Sequence, residues 1–155
     1  PVGKHWSQTA RKQITTKQAY NATQICKKIG IQAGAFFILG YPGENAKTIL
    51  DTLKFASSLP LDYLSFTLPY PIPGTLLFER LNGKLVAEEW EEPKNIQMIK
   101  HRLLFDSQVS ELKIKFAVIK GMTQFYTRKY IGERGYALIG KPVEAVTDLI
   151  YNKMD

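Results

Sequence analysis

The chain has 155 residues, of which 45% are hydrophobic and 23% are charged, a composition typical of one soluble globular domain. No apolar stretch approaches the ~18 residues of a membrane span and no signal peptide opens the chain, so we expect a cytoplasmic protein. The single cysteine, Cys26, excludes an internal disulfide and cannot by itself hold a metal or a cluster. Because the chain starts at Pro1 without a methionine, we also expect it to be a piece of a longer protein.

The first predicted helix begins at a capping box and ends at a glycine. Thr15 and Gln18 have the required spacing, a hydroxyl followed three residues later by Gln. Apolar residues then recur at helical spacing until Gly30, which supplies a C-terminal stop. Cys26 falls on this apolar face, so the pattern predicts a small core residue rather than a nucleophile.

A buried strand and a glycine-bearing loop come next. Residues 33–39 are apolar without alternation, which predicts a parallel strand covered on both faces. In the loop 40–44, Gly40 permits a sharp turn or the close approach of a ligand, and Glu44 or Asn45 can cap the helix that follows. Ligands bind at the carboxyl ends of such strands, so this loop is a candidate ligand site; the alternative is an ordinary turn.

The second strand is predicted after a helix over residues 46–58, which Pro60 ends. Residues 62–68 alternate between apolar and more polar side chains, as a strand with two different faces does. A strand–helix–strand unit of this length predicts a right-handed parallel crossover. In a barrel, Ser65 and Thr67 would line the interior and the apolar face would meet the outer helices. That apolar face consists of Leu64, Phe66 and Leu68.

A proline-rich segment follows the second strand. Residues 69–75 contain three prolines and cannot continue a sheet, so we expect a rigid loop at the same end as loop 40–44. Thr75 can cap a short helix over residues 76–81. The two loops are therefore expected to face each other across the strand ends.

Beyond residue 82 the sequence predicts an acidic linker and then helices. The paired glutamates around Trp90 are better explained as a solvated loop than as a metal site. A later 3–4 rhythm of apolar residues predicts one long helix or two in series, and a final helix over residues 143–151 follows Pro142. The predicted buried face of the long helix consists of Val109, Leu112, Phe116, Ile119 and Tyr126.

Taken together, these motifs resemble the carboxyl-terminal half of a radical S-adenosylmethionine enzyme. The branch most similar to the chain carries an upstream cobalamin-binding domain and includes proteins like the anaerobic magnesium-protoporphyrin IX monomethyl ester oxidative cyclase. Four segments carry the resemblance in this order: residues 11–15, 34–44, 69–75 and 125–128. In that family a three-cysteine motif holds a [4Fe-4S] cluster, which cleaves S-adenosylmethionine to a 5′-deoxyadenosyl radical.

The resemblance implies an α/β fold: the C-terminal portion of a partial (β/α)6 TIM-like barrel with parallel strands over residues 1–82, then a helical extension over residues 83–155. By resemblance, Ile38 and Gly40 end the fifth barrel strand beside the adenine of S-adenosylmethionine. Glu44 closes the same motif. Leu68 and Pro69 end the sixth strand, near the adenine or the substrate. Cofactors of the parent enzyme would be S-adenosylmethionine and a [4Fe-4S] cluster, with cobalamin left open.

The resemblance implies that the chain is part of an iron–sulfur oxidoreductase. Because the chain has no three-cysteine motif, we expect it to be inactive and to bind no cofactor by itself. We assign it no catalytic residue and no metal ligand. Its expected partners are the missing N-terminal half of the barrel, a small-molecule substrate, and further copies that pair through the unpaired strand edge. A net charge of +7, with six Lys or Arg and no acid in residues 1–43, leaves a tRNA-binding module as an alternative. A non-catalytic structural partner is a further alternative.

Overall fold

The chain forms a strand–helix–strand unit followed by a helical region. The computed structural model describes residues 14–81, 83–85, 103 and 105–154. Most of the predicted acidic linker lies outside the described residues. The elements, in chain order, are α1 (Thr16–Lys28), β1 (Gly34–Ile38), α2 (Ala46–Ser58), β2 (Tyr63–Thr67), α3 (Leu76–Leu81), α4 (Glu111–Gly135), a π-helix (Tyr136–Gly140) and α5 (Lys141–Lys153).

Helix α1 has the predicted ends but not the predicted burial. The Oγ1 atom of Thr15 accepts a hydrogen bond from the Gln18 N–H at 3.2 Å, and the Gln18 side chain accepts one from the Thr15 N–H at 2.8 Å. No residue of α1 is buried, and Cys26 is half-buried. The predicted core role of Cys26 is therefore wrong, because nothing in the described part of the chain covers the apolar face of this helix.

The two strands pair in parallel, as predicted. The register runs from Gly34 opposite Tyr63 to Ile38 opposite Thr67, with α2 as the crossover. Among the described residues the sheet contains these two strands alone, and helices make up most of the structure. The predicted α/β class is thus confirmed. Two strands do not make a partial barrel, so that part of the fold stays a prediction.

One face of the sheet lies beneath α2 and α4. The predicted buried side of α2 is confirmed for Ile49, Leu53 and Ala56, and the alternation of β2 is confirmed because Leu64 and Phe66 are buried. Helix α4 comes closest at Gly121. A Cβ atom there would lie 2.7 Å from Leu53 Cδ2 and 2.8 Å from the Phe66 ring, so only glycine fits without displacing these side chains.

The other face of the sheet is open. Phe36 is 73% exposed, Ile38 is 40% exposed and Tyr63 is 52% exposed. The rings of Phe36 and Tyr63 lie 5.8 Å apart on this face. The prediction that β1 is covered on both faces is therefore wrong for the described residues, because helices pack on only one side of the sheet.

Helix α4 buries only part of the predicted face: Val109, just before the helix, is buried and Phe116 packs against the core. Leu112 and Ile119 are 67% and 66% exposed, whereas Ala117, Gly121 and Phe125 are buried. Small residues let α4 approach α2 and the sheet closely, so the contact forms at the small residues and leaves two large apolar ones exposed. The final helix is confirmed, although it starts before Pro142 and continues directly from the π-helix. In the described ranges, no helix has both the length and the apolar character needed to cross a bilayer.

Candidate functional site

The predicted site residues lie at the carboxyl edge of the sheet. β1 ends at Ile38 and β2 ends at Thr67, and these residues are register partners. Pairing continues by one bond, in which the Leu39 N–H donates to the Thr67 carbonyl oxygen at 2.9 Å. Because parallel neighbours end at the same edge, Gly40 and Leu68 leave the sheet side by side. The two predicted loops therefore begin next to each other.

Glu44 closes loop 40–44. Its Oε2 atom accepts hydrogen bonds from the Gly40 N–H at 2.7 Å and from the Tyr41 N–H at 3.0 Å. Gly40 and Gly43 have φ angles of +83° and +91°, as expected for the sharp turn. Both loop amides are occupied by the carboxylate. A ligand at this edge would therefore meet side chains and carbonyl groups here, rather than these two N–H groups.

The Glu44 carboxylate is buried, with 2% of the residue exposed. Burial raises its pKa to about 7, although the N–H donors of Tyr41 and Gly40 act in the opposite direction. Its other oxygen, Oε1, has no hydrogen-bond partner in the described part of the chain. Asn45 rather than Glu44 caps α2, since Asn45 Oδ1 accepts from the Thr48 N–H at 3.0 Å. Glu44 is thus left to hold the loop.

Gly40 has a structural reason to lack a side chain. A Cβ atom at this position would lie 2.6 Å from Ile114 Cδ1, on α4. The close approach that the sequence predicted at Gly40 is therefore made by a helix of the same chain. Its predicted position beside adenine stays a prediction.

The remaining predicted site residues, Ile38, Leu68 and Pro69, differ in how much of their side chains is exposed at the carboxyl edge of the sheet. Ile38 is 40% exposed and belongs to the open face, next to Thr67. Leu68 is half-buried and Pro69 is buried, so the start of the second loop packs inward. An apolar ligand surface at this edge would therefore be contributed mainly by Ile38.

The second loop is shaped by its prolines and by Gly74, whose φ angle is +81°. Thr75 caps α3 as predicted, because its Oγ1 atom accepts from the Phe78 N–H at 3.3 Å. Within the loop, Pro71 is fully buried and Ile72 is 56% exposed. The buried proline anchors a loop that carries an exposed apolar side chain.

Two cavities lie away from this edge. A cleft of about 600 Å³ opens at the amino ends of the strands, between α1 and α4, and its lining includes Lys27, Arg128 and Lys129. A smaller cavity of about 240 Å³ lies between α4 and α5 and includes Lys120 and Gln124. No group of three potential metal ligands occurs among the described residues. The nucleic-acid alternative depends on six basic residues. Three of them lie on α1 (Lys17, Lys27 and Lys28), and the other three lie outside the described residues (Lys4, Arg11 and Lys12).

Sequence reasoning missed two residues at the site. Ile114 is the residue that a Cβ atom at Gly40 would meet, and Tyr151 is fully buried, with its pKa raised by burial and also by the charge of Glu44. Ile114 and Tyr151 lie 70 or more residues beyond loop 40–44 in the chain. Local periodicity carries no signal for such contacts, since it says which face of a helix is apolar but not which element it meets.

Comparison with known proteins gives two relatives, and no protein-family model matches. The chain is 35% identical, over 120 residues, to an uncharacterised methyltransferase of Pyrococcus horikoshii; the match covers 76% of this chain and 25% of the relative. It is 32% identical, over 81 residues, to the anaerobic magnesium-protoporphyrin IX monomethyl ester cyclase of Rubrivivax gelatinosus, covering 52% of this chain and 15% of that relative. The chain thus matches a quarter or less of each relative's length. Its sequence is similar to part of a methyltransferase and, over a shorter span, to part of a cyclase.

Proposed function

We propose that the chain is part of a radical S-adenosylmethionine enzyme and supplies part of the wall around the cofactor and the substrate. Two kinds of observation support this. The motif resemblance concerns this family, and the two relatives are named as a methyltransferase and as an anaerobic cyclase. The carboxyl edge of the β1–β2 sheet brings Ile38 beside two structured loops, which is where parallel α/β folds bind their ligands.

The observation that carries the proposal is the open face of the sheet. A parallel sheet normally has both faces covered, yet Phe36 and Ile38 lie exposed on a face that the described residues leave bare. In a partial barrel this face is the interior. Ser65 and Thr67 add hydroxyl groups to it, a mixture of apolar and polar surface that suits a binding cavity better than a filled core.

The residues of this chain fit S-adenosylmethionine in part. Ile38 would present an apolar surface to the adenine, and the half-buried Leu68 and the buried Pro69 would support the adjacent strand end behind it. Glu44 would hold the loop beneath by its bonds to Gly40 and Tyr41. S-adenosylmethionine would supply the group that reacts, and this chain's own residues bind and orient it.

The residues do not fit a [4Fe-4S] cluster. Cys26 is the single cysteine of the chain, and it lies on α1, away from the carboxyl edge of the sheet. A cluster needs several thiolate ligands, so another part of the parent protein must hold it. We therefore propose that the reading frame upstream of Pro1 encodes three closely spaced cysteines and the first strands of the barrel.

The test uses the complete reading frame that contains this chain, expressed and reconstituted with iron and sulfide under anaerobic conditions. We expect it to bind S-adenosylmethionine and, once a one-electron reductant such as dithionite is added, to cleave it to methionine and 5′-deoxyadenosine. Ile38→Asp should weaken cofactor binding by about tenfold or more, because a charge against the purine wall costs at least the ~1.4 kcal/mol that a tenfold change represents. Equilibrium dialysis measures the affinity.

The matched control is Ile119→Asp, which places the same charge at an exposed isoleucine on α4. This variant should bind the cofactor like the wild type. An upstream frame without the three cysteines, or equal affinities for the wild type and Ile38→Asp, would overturn the proposal.

A further inference from the structure

Helix α5 turns its charged residues toward the rest of the chain. The Lys54 ammonium on α2 lies 3.8 Å from Glu144 Oε1 and 3.5 Å from Asp148 Oδ2. The Lys120 ammonium on α4 lies 2.9 Å from Asp148 Oδ1, and Tyr136 donates a hydrogen bond to Glu144 Oε2 at 2.6 Å. Polar contacts and ion pairs therefore hold the inward side of α5 against α2 and α4.

The outward side of α5, together with the end of the π-helix before it, is apolar and bare. Nothing in the described part of the chain covers it. Six large apolar side chains along it are between 47% and 79% exposed: Leu138, Ile139, Val143, Val146, Leu149 and Ile150. A surface helix usually has the opposite orientation, with its apolar face buried. A contiguous group of exposed apolar side chains marks an interaction surface, whereas single ones are common on any protein.

Four of these side chains have a spacing that is the same in both directions along the helix. Ile139, Val143, Val146 and Ile150 lie 4, 3 and 4 residues apart, which places them on one face. When two such stripes pair in antiparallel with their centres aligned, Ile139 of one copy lies opposite Ile150 of the other, and Val143 lies opposite Val146. This self-matching is what an interface with a two-fold axis requires, because each surface there meets its own copy.

A cavity of about 240 Å³ between α4 and α5 lies beside this stripe. Ile139 and Val143 line it, together with Ile119 on α4. The threonines of its wall use their hydroxyl groups within their own helices, since Thr123 donates to the Ile119 carbonyl oxygen at 2.9 Å and Thr147 donates to that of Val143 at 2.8 Å. The cavity is therefore suited to an apolar side chain.

We propose that α5 is the interface through which two copies of this chain form a dimer with a two-fold axis, with the two helices antiparallel. Ile150 of the second copy then lies next to Ile139 and enters the cavity, as a knob enters a hole between helices. The stripe itself contains no charged side chain, so its burial removes no ion from water. None of its residues belongs to the carboxyl edge of the sheet, so the dimer does not depend on the proposed function.

The first test measures the mass of the 155-residue chain by sedimentation equilibrium across a concentration series. The parent variant is Phe36→Asp, which places a charge on the open sheet face and so removes apolar association there. We expect this variant to be a dimer. Adding Val146→Lys should weaken the dimer by about a hundredfold, because each copy brings one charge into an apolar contact and each charge costs about tenfold.

The matched control is Ile25→Lys in the same parent variant. Ile25 on α1 is 58% exposed and Val146 is 57% exposed, so both substitutions place the same charge at an equally exposed apolar site. The control should keep the dimer. Circular dichroism should show the same helix content in all variants. A Phe36→Asp chain that is already monomeric, or equal dimer affinities with and without Val146→Lys, would overturn the proposal.

A second test checks the antiparallel register. In the Phe36→Asp background, Val143→Glu and Val146→Lys should each be monomeric when alone. Mixed in equal amounts they should form a heterodimer, because positions 143 and 146 of opposite copies face each other and the two new charges attract. The other contact between these positions keeps two valines. A mixture that stays monomeric would overturn the proposal, and it is the result expected if a different protein segment covers α5.

Discussion

The two faces of the β1–β2 sheet carry similar side chains and have different surroundings. Leu64 and Phe66 lie on the covered face beneath α2 and α4, whereas Phe36 and Ile38 lie on the open face and are exposed. The hydrophobic effect rewards burial rather than composition, so only the covered face stabilises the chain by itself. The open face is apolar surface that the described residues leave uncovered.

The largest effect is expected from truncation on the covered face. Leu64→Ala should lower the free energy of unfolding by about 2–5 kcal/mol, because it leaves a cavity in a fully buried site. Phe36→Ala on the open face should change it by about 0.5 kcal/mol or less. Urea unfolding followed by circular dichroism measures both. A similar decrease in the free energy of unfolding for the two variants would show that the two faces are buried to the same extent.

The next largest effect is the pH dependence of stability that is caused by the buried Glu44 in loop 40–44. Its pKa is raised from 4.5 to about 7, so the folded chain keeps a proton that the unfolded chain releases. This contribution to stability is fully present below pH 4.5, decreases as the pH rises, and is lost above pH 7. It amounts to about 3 kcal/mol, given that one pKa unit represents 1.36 kcal/mol.

Glu44→Gln should remove this decrease, because a glutamine keeps an acceptor for the Gly40 and Tyr41 amides without titrating. Near pH 8 the variant should be more stable than the wild type. Urea unfolding at pH 5 and pH 8 provides the measurement, and Glu79→Gln, which removes an exposed carboxylate on α3, is the control. A wild-type pH dependence that persists in Glu44→Gln would refute the burial-driven shift.

A smaller effect separates backbone strain from packing at the two loops. Gly40 and Gly74 both have φ angles near +80°, so an alanine is strained at either position. Only at Gly40 would the new Cβ also meet Ile114, so Gly40→Ala should cost about 1–3 kcal/mol more than Gly74→Ala. Adding Ile114→Val, which removes the clashing Cδ1 atom, should recover part of the difference in thermal unfolding. Equal costs at the two glycines would mean that α4 does not press on the loop.

The smallest effect on stability is expected at the open face itself. Phe36→Asp should change the unfolding free energy by about 0.5 kcal/mol or less, since Phe36 is 73% exposed. We propose that the chain also self-associates through this sheet; a charge on the uncovered apolar face next to the sheet edge should then reduce that association. Light scattering across a concentration series measures this, with Lys17→Asp on α1 as the control. Unchanged association would move the contact away from this face.

Much of the strand–helix–strand unit follows from local rules. The capping box at Thr15, the Asn45 cap, the alternation of β2 and the positive φ of Gly40 each depend on a few neighbouring residues. The buried face of α4 did not follow from such rules. Its contact with α2 is made through Ala117 and Gly121, and a pattern search that weights large apolar residues does not find small ones.

The sequence by itself determined the order of the elements, the parallel pairing of β1 and β2 and the two loops at one edge, because turn chemistry and periodicity act within a few residues. Only the tertiary structure decided which sheet face is covered, why Gly40 lacks a side chain, and that the Glu44 carboxylate is buried. These features arise where segments far apart in the chain meet, and the free energy of such contacts depends on burial and shape. Neither of these can be read from spacing along the chain.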